Sequence, residues 1–341
     1  MLIDKASTKR LILKLAAVSG KYQPFTESDR RCVQREAVEF CGDIPLDAGS
    51  EHNQYRLEFE MPRPAQTEVD RLLYTPRGMA WVEGTLYERY SLQEPAVKDL
   101  LTKPSATRCK LLPQGTVVQV ETPYTYGDWV SEHLVCLSRA MPIGSPLVMP
   151  SYMMDKFYVR RDLALLGIET VTVEQAVVIQ KATVLHKTRH SHYWTASEAE
   201  AYRNAFGIKP VKPRPGSMLY LSRAGEHSEA QNRFYPSELV GDIMKELGAT
   251  VVLARNTTYE EYHALGEEAE TVVADHGAAM CNLLLWNTKN AIELISDRWW
   301  TSCFLFLAKA LGISNYALVR VDNMERSELR RKIIDCLECF N

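Results

Sequence analysis

The sequence lacks any run of about twenty apolar residues, the length a helix needs to cross the hydrocarbon core of a bilayer. Its most apolar N-terminal stretch, Leu11–Val18, is far shorter and is interrupted by Lys14, and no small-residue cleavage pattern marks it as an export signal. It lacks a basic excess too. Forty Lys and Arg against 43 Asp and Glu leave a formal charge of −3, whereas binding a phosphate backbone needs a surplus of cations, so no nucleic-acid partner is expected. There is no GxGxxG with a downstream acid, which removes the dinucleotide fingerprint. There is no second pair to match the CxxC of Cys336 and Cys339, and Cys32 and Cys41 are wrongly spaced for one, so no structural metal site is expected. Without an export signal the chain is expected in the cytoplasm, with its eight cysteines as thiols. The first fourteen residues carry Lys5, Lys9, Arg10 and Lys14 against Asp4 alone. That suits a solvated helix, or a peripheral contact with anionic lipid at the inner face of the membrane.

What is present is the balance of a globular protein: 341 residues, 46% hydrophobic and 24% charged. A single core stops growing near about 250–300 residues, so two domains are expected, with the site of action in the cleft between them. Residues 1–65 read as an irregular lead-in. From about residue 70 short strands appear at Arg71–Tyr74, Ala80–Val82 and Thr116–Glu121, the last ending in the turn signal Thr122–Pro123. A helix to about Ala140, a strand Pro146–Met149, a helix Asp155–Leu166 and a strand Val171–Val173 follow. The Pro-rich stretch Lys209–Pro215 reads as a linker. A second alternation then runs through strands Met218–Ser222, Thr250–Leu253, Thr271–Ala274 and Ala291–Leu294, with helices at Pro236–Leu247, Tyr259–Leu265 and Ala278–Leu285. Alternating strand and helix is the mark of a parallel sheet, so the expected fold class is α/β with two doubly wound, Rossmann-like domains. Their bounds are 66–208 and 209–325, with a closing helix over 326–341.

Four places can carry chemistry. Val272-Val273-Ala274-Asp275-His276-Gly277-Ala278-Ala279-Met280-Cys281-Asn282 is an apolar strand running into a small-residue turn that opens a helix. Such a turn aims leading N–H groups and the positive end of the helix dipole at an anion, above all a phosphate; the bland alternative is a tight turn with a satisfied core His276. Ser222-Arg223 closes the first strand of the same half, and an Arg there can hold a diphosphate bidentately. Glu293, in the otherwise apolar strand Ala291–Leu294, is placed to accept ribose hydroxyls or to make a sheet-edge ion pair. In the N-terminal half, Asp128 and Glu132 are four apart, on one face of a helix that starts beside Trp129. Either is a candidate proton acceptor, and Asp128 is equally a cap. His186, His190 and His192 stand among Lys181, Lys187 and Arg189, which repel a metal cation, so this stretch reads as phosphate-facing or solvated. Trp299-Trp300 reads as packing. No Asp-x-Asp occurs, the dyad with which many sugar transferases hold a metal on the donor.

The ordered set Leu219-Tyr220-Leu221-Ser222-Arg223, Arg233 with Glu238-Leu239, His276-Gly277-Ala278 with Asn282, and Ile292-Glu293-Leu294 resembles the glycosyltransferase family 61 domain, found also in capsular polysaccharide proteins. The similarity covers about Thr116 to Tyr316. It implies a GT-B fold, a nucleotide-sugar donor bound through Ser222, Arg223, His276, Gly277, Ala278, Ala279, Asn282 and Glu293, no metal or other cofactor, and inversion at the anomeric carbon. The acceptor it implies is a glycan or lipid-linked glycan. The family often has a His where this chain has Asp128, so Asp128 stands as the base with Glu132 as its support or substitute. The alternatives are another GT-B-like nucleotide-sugar enzyme, an epimerase or phosphorylase, and a non-catalytic scaffold of a polysaccharide assembly.

Overall fold

The computed structural model describes residues 65–87, 105–119, 125–188, 192–209, 211–225, 235–253, 257–296 and 300–340, with strand pieces at 31–34, 41–43, 53–54 and 57–60. The basic stretch 1–18, most of the lead-in to residue 65, the Thr122–Pro123 turn, Arg189, His190, Pro210, Arg233 and Trp299 lie outside the described residues. The fold is mixed α/β with parallel sheets. The chain divides into two compact units, Met1–Cys32 with Phe59–Ser191 and Val33–Glu58 with His192–Asn341. No helix among the described residues is long and apolar enough to cross a membrane.

The first unit is built on β1 (Gln66–Tyr74), β2 (Ala80–Val82), β3 (Thr85–Leu86), β4 (Lys110–Gln119), β5 (Leu147–Pro150), β6 (Thr170–Val173) and β7 (Val177–His186). Their order across the sheet is β6-β5-β4-β7-β1-β2-β3. β6, β5, β4 and β7 are parallel, while β1, β2 and β3 run antiparallel to their neighbours. The sheet is therefore mixed, not the wholly parallel one expected here. The centre of the sheet is β7, in the stretch whose basic residues suggested a solvated segment. Val177, Val178, Ile179, Thr183 and Val184 are β-branched and favour a strand. Ala182 and Val184 turn into a core with Leu72, Tyr74, Val117 and Val148, and Lys181 stays exposed.

In the second unit β8 (Arg214–Ser222), β9 (Thr250–Leu253), β10 (Ala269–Asp275), β11 (Asn290–Ile295) and β12 (Asn315–Arg320) form an all-parallel sheet. The order is β9-β8-β10-β11-β12, with the short strand Cys41–Gly42 on the outer edge beside β12. Numbered along the chain from β8, that is 2-1-3-4-5. The strands are nearly continuous apolar runs because both faces are covered. On one face Tyr220, Val273, Ile292, Leu294, Ala317 and Val319 pack against α3 (Ser237–Glu246) and α6 (Arg326–Cys339). Their chain neighbours Leu219, Leu221, Val272, Ala274, Ala291 and Leu318 are buried on the opposite face. There α2 (Ala196–Ala205), α5 (Cys303–Leu311) and the segment Ala278–Leu285 pack together, and α4 (Tyr259–Glu267) packs on that segment and on β10. Each large apolar side chain so buried contributes roughly 1.5–3 kcal/mol.

Candidate functional site

In a sheet ordered 2-1-3-4-5 the chain leaves the first strand toward one side and the third toward the other. A crevice opens at the carboxyl ends of those two strands, and ligands of open α/β sheets bind there. Here the two strands are β8 and β10, and what stands at their ends is Ser222-Arg223 and Asp275-His276-Gly277.

Asp275 ties this edge together. It is fully buried; Oδ2 accepts from the backbone N–H of Arg223 (3.0 Å) and from Ser237 Oγ (2.6 Å), and Oδ1 accepts from the Tyr220 hydroxyl (2.9 Å). Burial pushes its carboxyl up from 3.8 to about 6, against the opposing pull of those hydrogen bonds and of the Arg223 charge. Burial, with the Asp275 charge beside it, raises the Tyr220 phenol well above its usual range. One carboxylate thus anchors the end of β8 and the start of α3 to β10. Asp275 lies within the motif read from the sequence, which assigns it no role.

Beyond it the chain turns at Gly277, with φ +155° and ψ −172°, a region essentially restricted to glycine. A Cβ placed there would lie 2.6 Å from Arg223 Nη1. The guanidinium is drawn against this bare backbone and donates from Nη1 to the carbonyl oxygen of His276 (3.2 Å). Ala278–Leu285 is a 3-10 helix, not the α-helix expected from its apolar pattern. Its first internal bond runs from Met280 N–H to Gly277 O (3.0 Å), so the N–H groups of Ala278 and Ala279 precede the ladder.

Three residues read as donor ligands make hydrogen bonds within the unit. Glu293 is buried beneath the turn; Oε1 accepts from His276 Nδ1–H and Oε2 from the Tyr316 hydroxyl. Oε1 thus orients His276, while Oε2 is held by Tyr316. Burial and the Glu293 charge hold the Tyr316 phenol well above its usual range. His276 also packs edge-on against Phe304, ring centres 5.1 Å apart. Asn282 is buried and donates to Ala279 O (2.8 Å) and Tyr262 Oη (3.3 Å), closing the 3-10 segment onto α4. Ser222 is buried and accepts from the N–H of Ala224 (3.1 Å), which shapes the end of β8.

In the first unit, Asp128 completes a capping box at the start of α1 (Tyr126–Asp128). It accepts from Thr125 N–H (3.0 Å) and Oγ1 (2.8 Å), and Thr125 Oγ1 accepts from Asp128 N–H (3.2 Å). The helix then widens into π-winding over Trp129–Leu134, a geometry frequent at functional sites. Asp128 stays partly exposed, whereas Glu132, about one turn further on, is buried. The Trp129 indole N–H donates to Asp162 (2.9 Å). Burial raises the Asp162 carboxyl, against the Arg161 charge and the hydrogen bonds from Trp129 and Arg161. Lys187 is buried and donates to Ser131 O, and His186 stacks on Tyr87 at 5.7 Å. A partly polar groove of about 330 Å³ lies on the sheet of this unit, lined by Gln66, Glu68, Gln114 and Lys181 and also by the apolar Ile143 and Leu185.

Among the described residues no group of three His, Cys, Asp or Glu side chains is arranged to hold a metal ion. No family model matches the chain, and neither does any curated protein.

Proposed function

We propose that the chain is an inverting, metal-independent glycosyltransferase with a GT-B fold, of the family 61 kind, that moves a sugar from a nucleoside-diphosphate donor to a hydroxyl of a glycan or lipid-linked glycan. Bacterial capsule or other surface-polysaccharide synthesis, in the cytoplasm at the inner face of the membrane, is the setting this reading suits. The second unit is the donor half and the first the acceptor half. The observation that carries the reading is the seating of Arg223 on Gly277 at the carboxyl edge between β8 and β10. As a glycosidic bond to a diphosphate breaks, negative charge gathers on the leaving group. A cation held in place before the reaction, beside the leading N–H groups of Ala278 and Ala279, stabilises that charge without moving to meet it. In the first unit, the amide and charged side chains of the partly polar groove suit a glycan, and Glu132, buried in the π-helical turn, precedes the capped Asp128 as candidate proton acceptor.

The test is a thermal-shift screen of nucleoside diphosphates and nucleotide sugars, since a ligand that binds only the folded state raises its melting temperature. A shift with one donor, followed by transfer to a glycan acceptor, supports the reading. Binding without transfer makes the chain a scaffold, and interconversion of the free nucleotide sugar makes it an epimerase. No shift with any of them removes the donor site.

A further inference from the structure

The CxxC of Cys336 and Cys339 acquires a third thiol through the fold. Along α6, Lys332, Cys336 and Cys339 recur at i, i+4 and i+7 and share one face, and α6 packs on the edge strand Cys41–Gly42. Lys332 Nζ donates to both oxygens of Asp43 (2.7 and 2.8 Å), and Asp43 in turn accepts from the Arg320 N–H (3.0 Å). One turn further on, the Cys41 thiol neighbours both Cys336 and Cys339. Cys336 belongs to the hydrophobic core and Cys41 packs against it, whereas Cys339 is exposed on the last turn of the helix.

We propose that Cys41 and Cys339 form a reversible disulfide on exposure to a hydroperoxide, stapling the edge strand to the end of α6. The choice of pair follows from freedom of movement. Cys41 is held by pairing with Ala317 in β12, and Cys336 is enclosed by the core, so the exposed Cys339 is the thiol that both meets the oxidant and can rotate to close the bond. In the first step the Cys339 sulfur attacks the peroxide O–O bond, giving a sulfenic acid and releasing an alcohol, or water from hydrogen peroxide. In the second the Cys41 sulfur attacks that sulfenic sulfur; the S–S bond forms and the hydroxyl leaves as water with the Cys41 proton. Two thiols are oxidised by two electrons and the peroxide is reduced by two. A dithiol reductant reverses the staple by exchange. The neighbouring Cys41 thiol, and after it desolvation and the charges of Asp335 and Glu338, hold the Cys339 thiol above its usual range, so proximity rather than a low thiol pKa selects this pair.

The test is independent of the proposed transferase activity. The full chain is treated with hydrogen peroxide, then alkylated, digested without reductant and mapped by mass spectrometry. The expected result is a Cys41–Cys339 cross-linked peptide as the dominant disulfide and an intact mass lower by two hydrogens, both reversed by dithiothreitol. The cross-link is lost in Cys339→Ser, an exposed change that leaves the core alone, and retained in Cys336→Ala. A dominant disulfide between any other pair overturns the proposal, as does over-oxidation of Cys339 with no cross-link.

Discussion

Replacing Gly277 with Ala probes the switch-point crevice where it is tightest. The new methyl brings two separate costs. The backbone at φ +155°, ψ −172° is one that L side chains rarely adopt, and holding Ala there costs roughly 1–3 kcal/mol. The methyl would also lie 2.6 Å from Arg223 Nη1, well inside van der Waals contact, so the guanidinium swings away and gives up its 3.2 Å hydrogen bond to His276 O. The first cost appears in unfolding: for a unit of this size a kilocalorie moves the melting temperature by about 2–4 °C, so a drop of roughly 2–12 °C is expected. The second appears in binding. A charge-assisted hydrogen bond to a diphosphate contributes about 1.5–3 kcal/mol, so calorimetric titration with the best nucleoside diphosphate should show affinity reduced roughly 10- to 150-fold. Arg223→Ala should weaken binding by the same amount with little change in melting temperature. In the double variant the losses in affinity should not add, because both remove one interaction, while the loss of thermal stability from Gly277→Ala should persist. Full additivity of the binding losses, or a Gly277→Ala variant that binds diphosphate normally, would refute the role given to Arg223.

Three further outcomes are expected. Asp275 has its folded-state pKa raised from 3.8 to about 6, so the folded chain holds a proton that the unfolded chain releases, and stability falls by about 3 kcal/mol as pH rises from about 4 through about 6. Urea unfolding across that range should show this slope in the wild type relative to Asp275→Asn, and parallel curves would contradict it. Transfer should persist in excess chelator; loss of turnover restored by Mn²⁺ or Mg²⁺ would overturn the metal-independent reading. Glu132→Gln should cut kcat by about 10²–10⁴ with donor affinity intact. Asp128→Asn, which keeps the cap, should leave turnover within a few-fold, and the opposite pattern returns the base to Asp128.

The strands of the second unit were legible as short apolar runs, most of them buried on both faces. Met218–Ser222, Thr250–Leu253, Thr271–Ala274 and Ala291–Leu294 are punctuated by turns, and each falls within an observed strand. Val177–His186 was not legible as a strand. Its β-branched residues are interrupted by Gln180 and Lys181 and end in His186, so charge masked a strand at the centre of its sheet. The 3-10 winding of Ala278–Leu285 was hidden for a different reason: Met280, Leu283 and Leu284 recur at a spacing that suits either helix, and the leading Gly277 conformation is a backbone property. Strand Asn315–Arg320 lies beyond the strands read from the sequence, and with it Tyr316, the partner of Glu293.

The site divides along the same line. A strand that ends in a polar residue and a small-residue turn announces itself, and so Ser222-Arg223 and His276-Gly277 could be picked out. Which of them meet depends on strand order. Because β8 pairs with β10, with Tyr220 opposite Val273 and Leu221 opposite Ala274, Arg223 and Gly277 come to adjacent strand ends. The same parity decides the fate of the acids. Asp275 follows Val273 by two and so points toward α3, where Ser237 and Tyr220 meet it. Glu293 alternates with the core residues Ile292 and Leu294 and so points to the other face, where His276 and Tyr316 meet its two oxygens. A carboxylate at a strand end looks like a ligand-binding group in one dimension. What makes Asp275 a tether and Glu293 an orienting partner is the identity of the side chain opposite, which only the pairing of strands supplies.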